Sequence, residues 1–167
     1  MDYCGVDTTM PLFDLTQTEV PMAMMGRIRV IQRNLMYVTN MPPAMADQRK
    51  ASSQHFGEFG TVARLVIRTI PASKPHQSPV VSAYVTYVEE ASTALAISQL
   101  NGKFVDGKRL RASFGSNKYC NAFIRNEACT NPRCSYLHQL SGTHECFWEK
   151  NNNPMASKGK KNNKLTR

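Results

Sequence analysis

Residues 27–115 predict an α+β fold, a split β-α-β-β-α-β sandwich, with a small cysteine- and histidine-rich module behind it. Three observations carry that prediction. Runs rich in β-branched and aromatic residues recur at 35–39, 62–69, 80–88 and 110–114. Helix-compatible stretches separate the first run from the second and the third from the fourth. Three cysteines and a histidine then crowd into residues 120–138.

Taken in order, residues 1–26 show no sustained period and carry Pro11 and Pro21, so they read as a disordered leader with an apolar patch at Met22–Met25. Ile28, Val30 and Ile31 lead into the strand Leu35–Thr39, ended by Asn40 and the Pro42-Pro43 pair. A helix-permissive stretch follows as far as Phe56, with Met45, Ala51 and Phe56 as core candidates, and Gly57 and Gly60 break it. In the second strand, Leu65 and Ile67 alternate with Arg64, Val66 and Arg68. Pro71–Pro79, with three prolines, is a loop, and Val80–Val88 is the third strand. Glu89-Glu90 open a helix with Ala94, Ile97 and Leu100 on one face, and Asn101-Gly102 close it. Asp106-Gly107 is a turn before the last strand, Leu110–Phe114. The expected organisation is therefore a leader over 1–26, a folded domain over 27–115, a ligand-rich module over 116–143 and a basic disordered tail over 144–167.

Charge is unevenly spread. The net charge of +9 resolves into −4 over 1–26, +7 over 27–115, zero over 116–149 and +6 over 150–167. A basic folded segment followed by a basic tail favours a polyanionic partner, because each Lys or Arg placed on a phosphate releases counterions. A solvated basic face with no ligand is the plain alternative. No apolar run is long enough to span a membrane, and the acidic start is unlike a secretory or mitochondrial presequence. The expected location is cytoplasm, nucleus or both, with no membrane and no small-molecule substrate as partner.

Cys120, Cys129, Cys134 and His138 are spaced C-x8-C-x4-C-x3-H. Three thiolates and an imidazole complete a tetrahedral zinc shell with no open position, so the reading is one structural zinc ion in a CCCH finger. A lone cysteine is more simply a buried small hydrophobe, but four ligands at this spacing argue against that. So short a segment buries too little surface to fold alone, and metal binding would supply the folding energy. Tyr119, Phe123 and Tyr136 flank the ligands, where Phe123 and Tyr136 are candidate faces for bases. The alternative is a finger that only braces the preceding domain. Cys4, Cys146, His55 and His76 have no assigned role.

The β-α-β-β-α-β order hosts many unrelated functions, so the sheet surface must decide. Met36-Tyr37-Val38-Thr39-Asn40-Met41 resembles the six-residue motif of an RNA recognition motif, and Val80–Tyr87 resembles its eight-residue motif. Phe59-Gly60 and Leu100-Asn101-Gly102 also fit that family. The resemblance implies that Tyr37 and Tyr84 stack single-stranded RNA bases while Arg64, Arg68, Arg109 and Arg111 hold phosphate. Val80 and Ser82 depart from the family, which has a basic residue and a third aromatic at those places, and Tyr87 is an inward core residue.

The resemblance sharpens over residues 27–148. Ile28–Leu35, Phe56-Gly57-Glu58-Phe59-Gly60, Leu110–Gly115, Lys118-Tyr119-Cys120 and Tyr136-Leu137-His138 are similar to the RNA-recognition-motif and CCCH region of the fourth Not subunit family of the CCR–NOT deadenylase complex. That implies an RNA-binding adaptor in mRNA turnover or gene-expression regulation, with CCR–NOT subunits as candidate partners. Full-length members of that family are RING-type ubiquitin ligases. Residues 1–26 offer only Cys4 toward a RING ligand set, so no enzyme activity is expected, and the chain reads as a short form or a fragment whose RING is missing. A protein-interaction module with little RNA binding is the rival reading, motivated by Val80 and Ser82.

Overall fold

A computed structural model describes residues 12–15, 19–140 and 145–149. In chain order the elements are β1 (Phe13–Asp14), a 3-10 turn (Met22–Arg27), β2 (Ile28–Met41), a 3-10 turn (Pro43–Ala46), and α1 (Gln48–Lys50) running into a π turn (Ala51–His55). A 3-10 turn (Gly57–Phe59), β3 (Val62–Ile70), β4 (Val80–Tyr87), α2 (Glu90–Leu100), β5 (Phe104–Val105), β6 (Lys108–Arg109), β7 (Arg111–Asn117), α3 (Asn121–Ile124) and β8 (Glu145–Trp148) complete them. Residues 31–117 form one unit, while residues 12–30 and 118–149 supply the described part of a second. The strand β2 is divided, with Ile28–Val30 in the second unit and Ile31–Met41 in the first.

The first unit is the predicted α+β arrangement. Its sheet places β4 between β2 and β3, both pairings antiparallel, and β7 pairs with β2. Alternation along β2 and β4 sends Met36, Val38, Ala83 and Val85 to one face, each fully buried. They join Phe56, Tyr87, Leu100 and Leu110 in a single core. The Tyr87 hydroxyl donates to the Phe56 carbonyl at 2.9 Å, which satisfies a buried polar group. Met45, Ala51 and Phe56 are buried as the sequence suggested.

Local chemistry explains the boundaries. Asn40 takes φ 59, a left-handed conformation that asparagine tolerates, and its amide donates to the Arg109 carbonyl at 2.8 Å. Asp47 caps α1, its carboxylate accepting from the backbone N–H groups of Arg49 and Lys50 at 3.0 and 3.2 Å. Asp106 and Gly107, at φ 47 and 76, make the tight primed turn joining β5 to β6. One expectation changes in α2. Ala94 is exposed, and the buried face is Thr93, Ala96 and Leu100, with Ile97 packed beside it. The helix is rotated one position, because a buried threonine takes the place that an apolar-only reading gave to alanine.

The second unit differs from the expected leader and tail. Phe13–Asp14 pairs with β8, and β8 pairs antiparallel with Ile28–Val30, giving the order β1-β8-β2. Met25, Ile28, Val30, Tyr119 and Cys146 form its core, with Phe13, Leu15, Phe123, Leu137 and Trp148 packed against them. Phe13 stacks on Trp148 at 5.4 Å. Residues 12–15 and 19–26 are therefore not disordered leader, and 145–149 are not disordered tail; both are held by strand pairing and apolar burial. The rest of the expected leader, 1–11 and 16–18, residues 141–143 of the expected finger, and residues 144 and 150–167 of the expected tail lie outside the described residues. Among the described residues no helix is long and apolar enough to cross a membrane.

Candidate nucleic-acid interface and metal site

The face of the first unit's sheet that points away from the core is built by register. Tyr37 on β2 sits directly opposite Tyr84 on β4, so both side chains emerge on the same face. Their rings stack at 4.9 Å with an interplanar angle of 24°. Among the described residues, neither ring belongs to a core cluster. On the neighbouring strand Arg64 is paired with Thr86, Val66 with Tyr84, and Arg68 with Ser82. The Arg68 guanidinium lies 5.6 Å from the Tyr84 ring centroid, a cation–π geometry. Arg64, Val66, Tyr84 and Thr86 also line a groove with Gln32 and Asn34.

Exposure departs from a simple pair of open platforms. Tyr37 is half-buried, whereas Tyr84 is only 7% exposed, lying between the Tyr37 ring and the Arg68 guanidinium. Arg64 and Arg68 are exposed and flank the tyrosines. Arg109 is exposed on β6, which pairs with β5 in a separate two-stranded hairpin, and Arg111 is exposed at the start of β7. The structure thus brings Tyr37, Tyr84, Arg64 and Arg68 together, and it sets Arg109 on a different hairpin. Motif reading missed a further contact: the Arg33 guanidinium lies 4.6 Å from the Phe114 ring centroid. Neither residue falls in either motif, and only the pairing of β2 with β7 makes them neighbours.

In the second unit a backbone clamp assembles the ligands. Tyr119 and Leu137 form a parallel bridge, the Cys120 N–H donates to the Leu137 carbonyl, and the Leu137 N–H donates to the Lys118 carbonyl, both at 2.9 Å. That clamp sets Cys120 beside His138. The Cys134 N–H donates to the Asn131 carbonyl at 3.1 Å, and the Asn131 side chain accepts from the Arg133 N–H at 3.0 Å, so a tight turn carries the third cysteine inward. The ligand atoms of Cys120, Cys129, Cys134 and His138 all lie within 4.8 Å of one another, and these four residues could hold a metal ion.

The electrostatics favour a bound cation. The Phe123 backbone N–H at the start of α3, then that of Ala122, and the His138 and Cys129 side chains stabilise the Cys120 thiolate and lower its pKa to about 6. Cys134 moves the other way: the Tyr136 backbone N–H favours its thiolate, but desolvation and the neighbouring Cys129 and Cys120 sulfurs push it up. Crowded sulfurs of this kind are relieved when a cation takes the protons' place.

The aromatics beside the ligands divide. Tyr119 is buried at 3% exposure, and Phe123 stacks on it at 5.8 Å while packing against the second core. Tyr136 is half-buried. Cys146 is fully buried in the same core, and burial pushes its thiol up to about 12, so it behaves as a small hydrophobe. A charge cluster completes the unit. Glu149 Oε1 lies 2.6 Å from Lys118 Nζ and 3.3 Å from the Nε of the buried Arg29. Burial alone would raise the Glu149 carboxyl, but Lys118 and then Arg29 outweigh it and hold it below its ordinary value.

Comparison with known proteins agrees with the geometry. Residues 36–111 match the family model of the RNA recognition motif. The chain is 35% identical over 119 residues to a general negative regulator of transcription of Schizosaccharomyces pombe, covering 69% of this chain and 24% of that protein. It is 31% identical over 131 residues to general negative regulator of transcription subunit 4 of Saccharomyces cerevisiae, covering 71% of this chain and 22% of that protein. The chain thus spans about a quarter of the length of these curated relatives. Among solved structures, the third RNA recognition motif of Pes4 aligns with a TM-score of 0.43 at 20% identity, covering 53% of this chain and 99% of that one.

Proposed function

Starting from a chain that carries an RNA recognition motif and is a relative of subunit 4 of the general negative regulators of transcription, we propose a single-stranded RNA-binding adaptor. It serves CCR–NOT-related control of mRNA turnover or gene expression in the cytoplasm, the nucleus or both, by binding and without catalysis. The observation that carries this reading is the stacked Tyr37–Tyr84 pair on the coreless face of the sheet, flanked by exposed Arg64 and Arg68. Bases stack on such rings at about 1–3 kcal/mol each, and the arginines meet the phosphates. Arg111, Arg109, Phe123 and Tyr136 are secondary contacts, with Tyr136 the better placed of the two finger aromatics because Phe123 is engaged in core packing.

Within this reading Cys120, Cys129, Cys134 and His138 bind one structural zinc ion, the metal that suits a tetrahedral set of three sulfurs and one nitrogen. Zinc supplies charge neutralisation and cross-linking when bound. The chain's own residues do the rest: the Tyr119–Leu137 bridge holds the ligands in place, and Cys120 is itself buried.

The test is a titration of single-stranded RNA at near-physiological salt against the zinc-loaded chain and its Tyr37→Ala/Tyr84→Ala variant. The reading expects the variant to lose more than about 1 kcal/mol of binding free energy. Equal binding by both proteins, confined to low salt, would mean charge attraction alone. One observation favours a second reading, a protein-interaction module: Tyr84 is nearly buried and Ser82 offers no ring. That reading expects capture of CCR–NOT subunits that survives nuclease treatment while RNA affinity stays negligible.

A further inference from the structure

We propose that the groove beside the stacked tyrosines is an adenine-selecting subsite, in which the Asn34 carboxamide reads the edge of one RNA base. The inference rests on the RNA-binding reading and deepens it. Two cross-strand rows frame the groove: Leu35 faces Thr86, which faces Arg64, and Tyr37 faces Tyr84, which faces Val66. The rows lie about 7 Å apart along the strands, so a base in the groove neighbours one stacked on Tyr37. Pairing of β2 with β4 starts at Leu35, which leaves a notch beyond that rung, and Gln32 and Asn34 line it. A Cβ at Gly115 would come within 2.5 Å of Leu35 Cγ and Cδ2, so the leucine leans over β7 and leaves the space beside Thr86 open. The groove holds about 160 Å³, room for a single base.

The chemistry of the lining selects the base. Leu35 and Val66 supply apolar surface, while Asn34, Gln32 and Thr86 are half-buried polar groups. Such groups lose part of their water and gain from a partner that both donates and accepts. A carboxamide sets an acceptor beside a donor, which matches the amino group and ring nitrogen along an adenine edge. Among the described residues no carboxylate, the group that suits the cytosine amino group, lines the groove. Arg64, whose guanidinium would suit guanine, is exposed and meets phosphate in the RNA-binding reading. Uracil offers a similar donor and acceptor on a smaller ring and covers less of Leu35 and Val66. Asn34 is the reader because it adjoins the Leu35–Thr86 rung, whereas Gln32 lies two residues farther out.

The experiment uses the zinc-loaded full chain and uridine decamers whose one central position is uridine, adenosine, guanosine, cytidine or purine riboside, which lacks the adenine amino group. Fluorescence anisotropy compares wild type with Asn34→Ala, Asn34→Asp and Tyr37→Ala/Tyr84→Ala. Wild type is expected to bind the adenosine decamer about 5- to 100-fold more tightly than the all-uridine one, and purine riboside to cancel that gain. Asn34→Ala should bring the adenosine-to-uridine ratio to within about 2-fold, and Asn34→Asp, which only accepts, should turn the preference to cytidine. Wild type that treats all decamers alike, prefers another base, or keeps its gain with purine riboside overturns the proposal. So does an Asn34→Ala ratio equal to that of wild type; in each case the RNA-binding reading still stands or falls on the tyrosine double variant. Should the Asn34 variants fail to fold, purine riboside with wild type decides alone. Absence of binding by wild type to every decamer removes the RNA-binding reading, and this proposal with it.

Discussion

The two units reach a folded state by different means. Among the described residues, the first gathers fifteen buried hydrophobic residues into one core, whereas the second gathers five and sets beside them four side chains that could hold a metal ion. Hydrophobic burial stabilises roughly in proportion to area, so the first unit has the material to stand by itself. The second joins a few apolar contacts, a charge cluster around Glu149 and a metal site, and it draws its strands from before and after the first unit in sequence. The contrast suits the proposed division of labour, in which one unit presents the recognition sheet and the other would draw its order in part from a bound metal.

The largest effect that separates them should come from metal removal. Structural zinc contributes on the order of 10 kcal/mol to folding in small fingers. A chelator added to the zinc-loaded chain is expected to abolish amide-exchange protection at Val30, Tyr119 and Cys146 and to leave Val38 and Val85 protected. Loss at both sets, or at neither, breaks the comparison. The converse is Phe56→Ala, which removes a fully buried ring from the first core. It should cost the first unit about 3–5 kcal/mol by denaturant unfolding, with zinc affinity unchanged.

A smaller effect should follow Glu149→Gln. The change removes the carboxylate facing the buried Arg29 and the half-buried Lys118, so about 1–2 kcal/mol should be lost from the second unit alone. Chemical denaturation of the zinc-loaded variant measures it. The smallest effect sharpens the metal site itself. With Cys120 lowered to about 6, its thiol is already ionised at pH 7.5, whereas the raised Cys134 is protonated. Zinc binding should therefore expel a proton from Cys134 and almost none from Cys120. As pH falls through 6, Cys120 begins to contribute and proton release per zinc rises. Calorimetry in buffers of different ionisation enthalpy reads this directly: Cys134→Ser should reduce release at pH 7.5 by about one proton and Cys120→Ser should not.

Most of the first unit is legible in the sequence because its elements are long enough to show a period. Leu65 and Ile67 alternate with Arg64 and Arg68, and Pro42-Pro43, Gly60 and Asn101-Gly102 mark breaks that the structure keeps. The four residues that could hold a metal are legible because their spacing is itself the signal, and the structure brings them together. What escapes depends on partners distant in sequence. Glu145–Trp148 is too short to show alternation, and its neighbour Ile28–Val30 lies more than a hundred residues earlier. Phe13 and Leu15 look like leader residues until Trp148 and the second core are in place. Thr93 takes a core position that polarity alone would deny it, which shifts the helix face away from Ala94. Arg33 and Phe114 belong to no motif and meet only across the pairing of β7 with β2.

The central claim is that the stacked tyrosines receive RNA bases, and ring-proton resonances report on it most directly. Single-stranded RNA titrated into the zinc-loaded chain should shift the Tyr37 and Tyr84 ring signals by the ring current of a stacked base, together with the Arg68 side-chain signal as it leaves the Tyr84 face. Saturating RNA that leaves both tyrosine rings unmoved, with shifts confined to exposed basic side chains, would contradict the account.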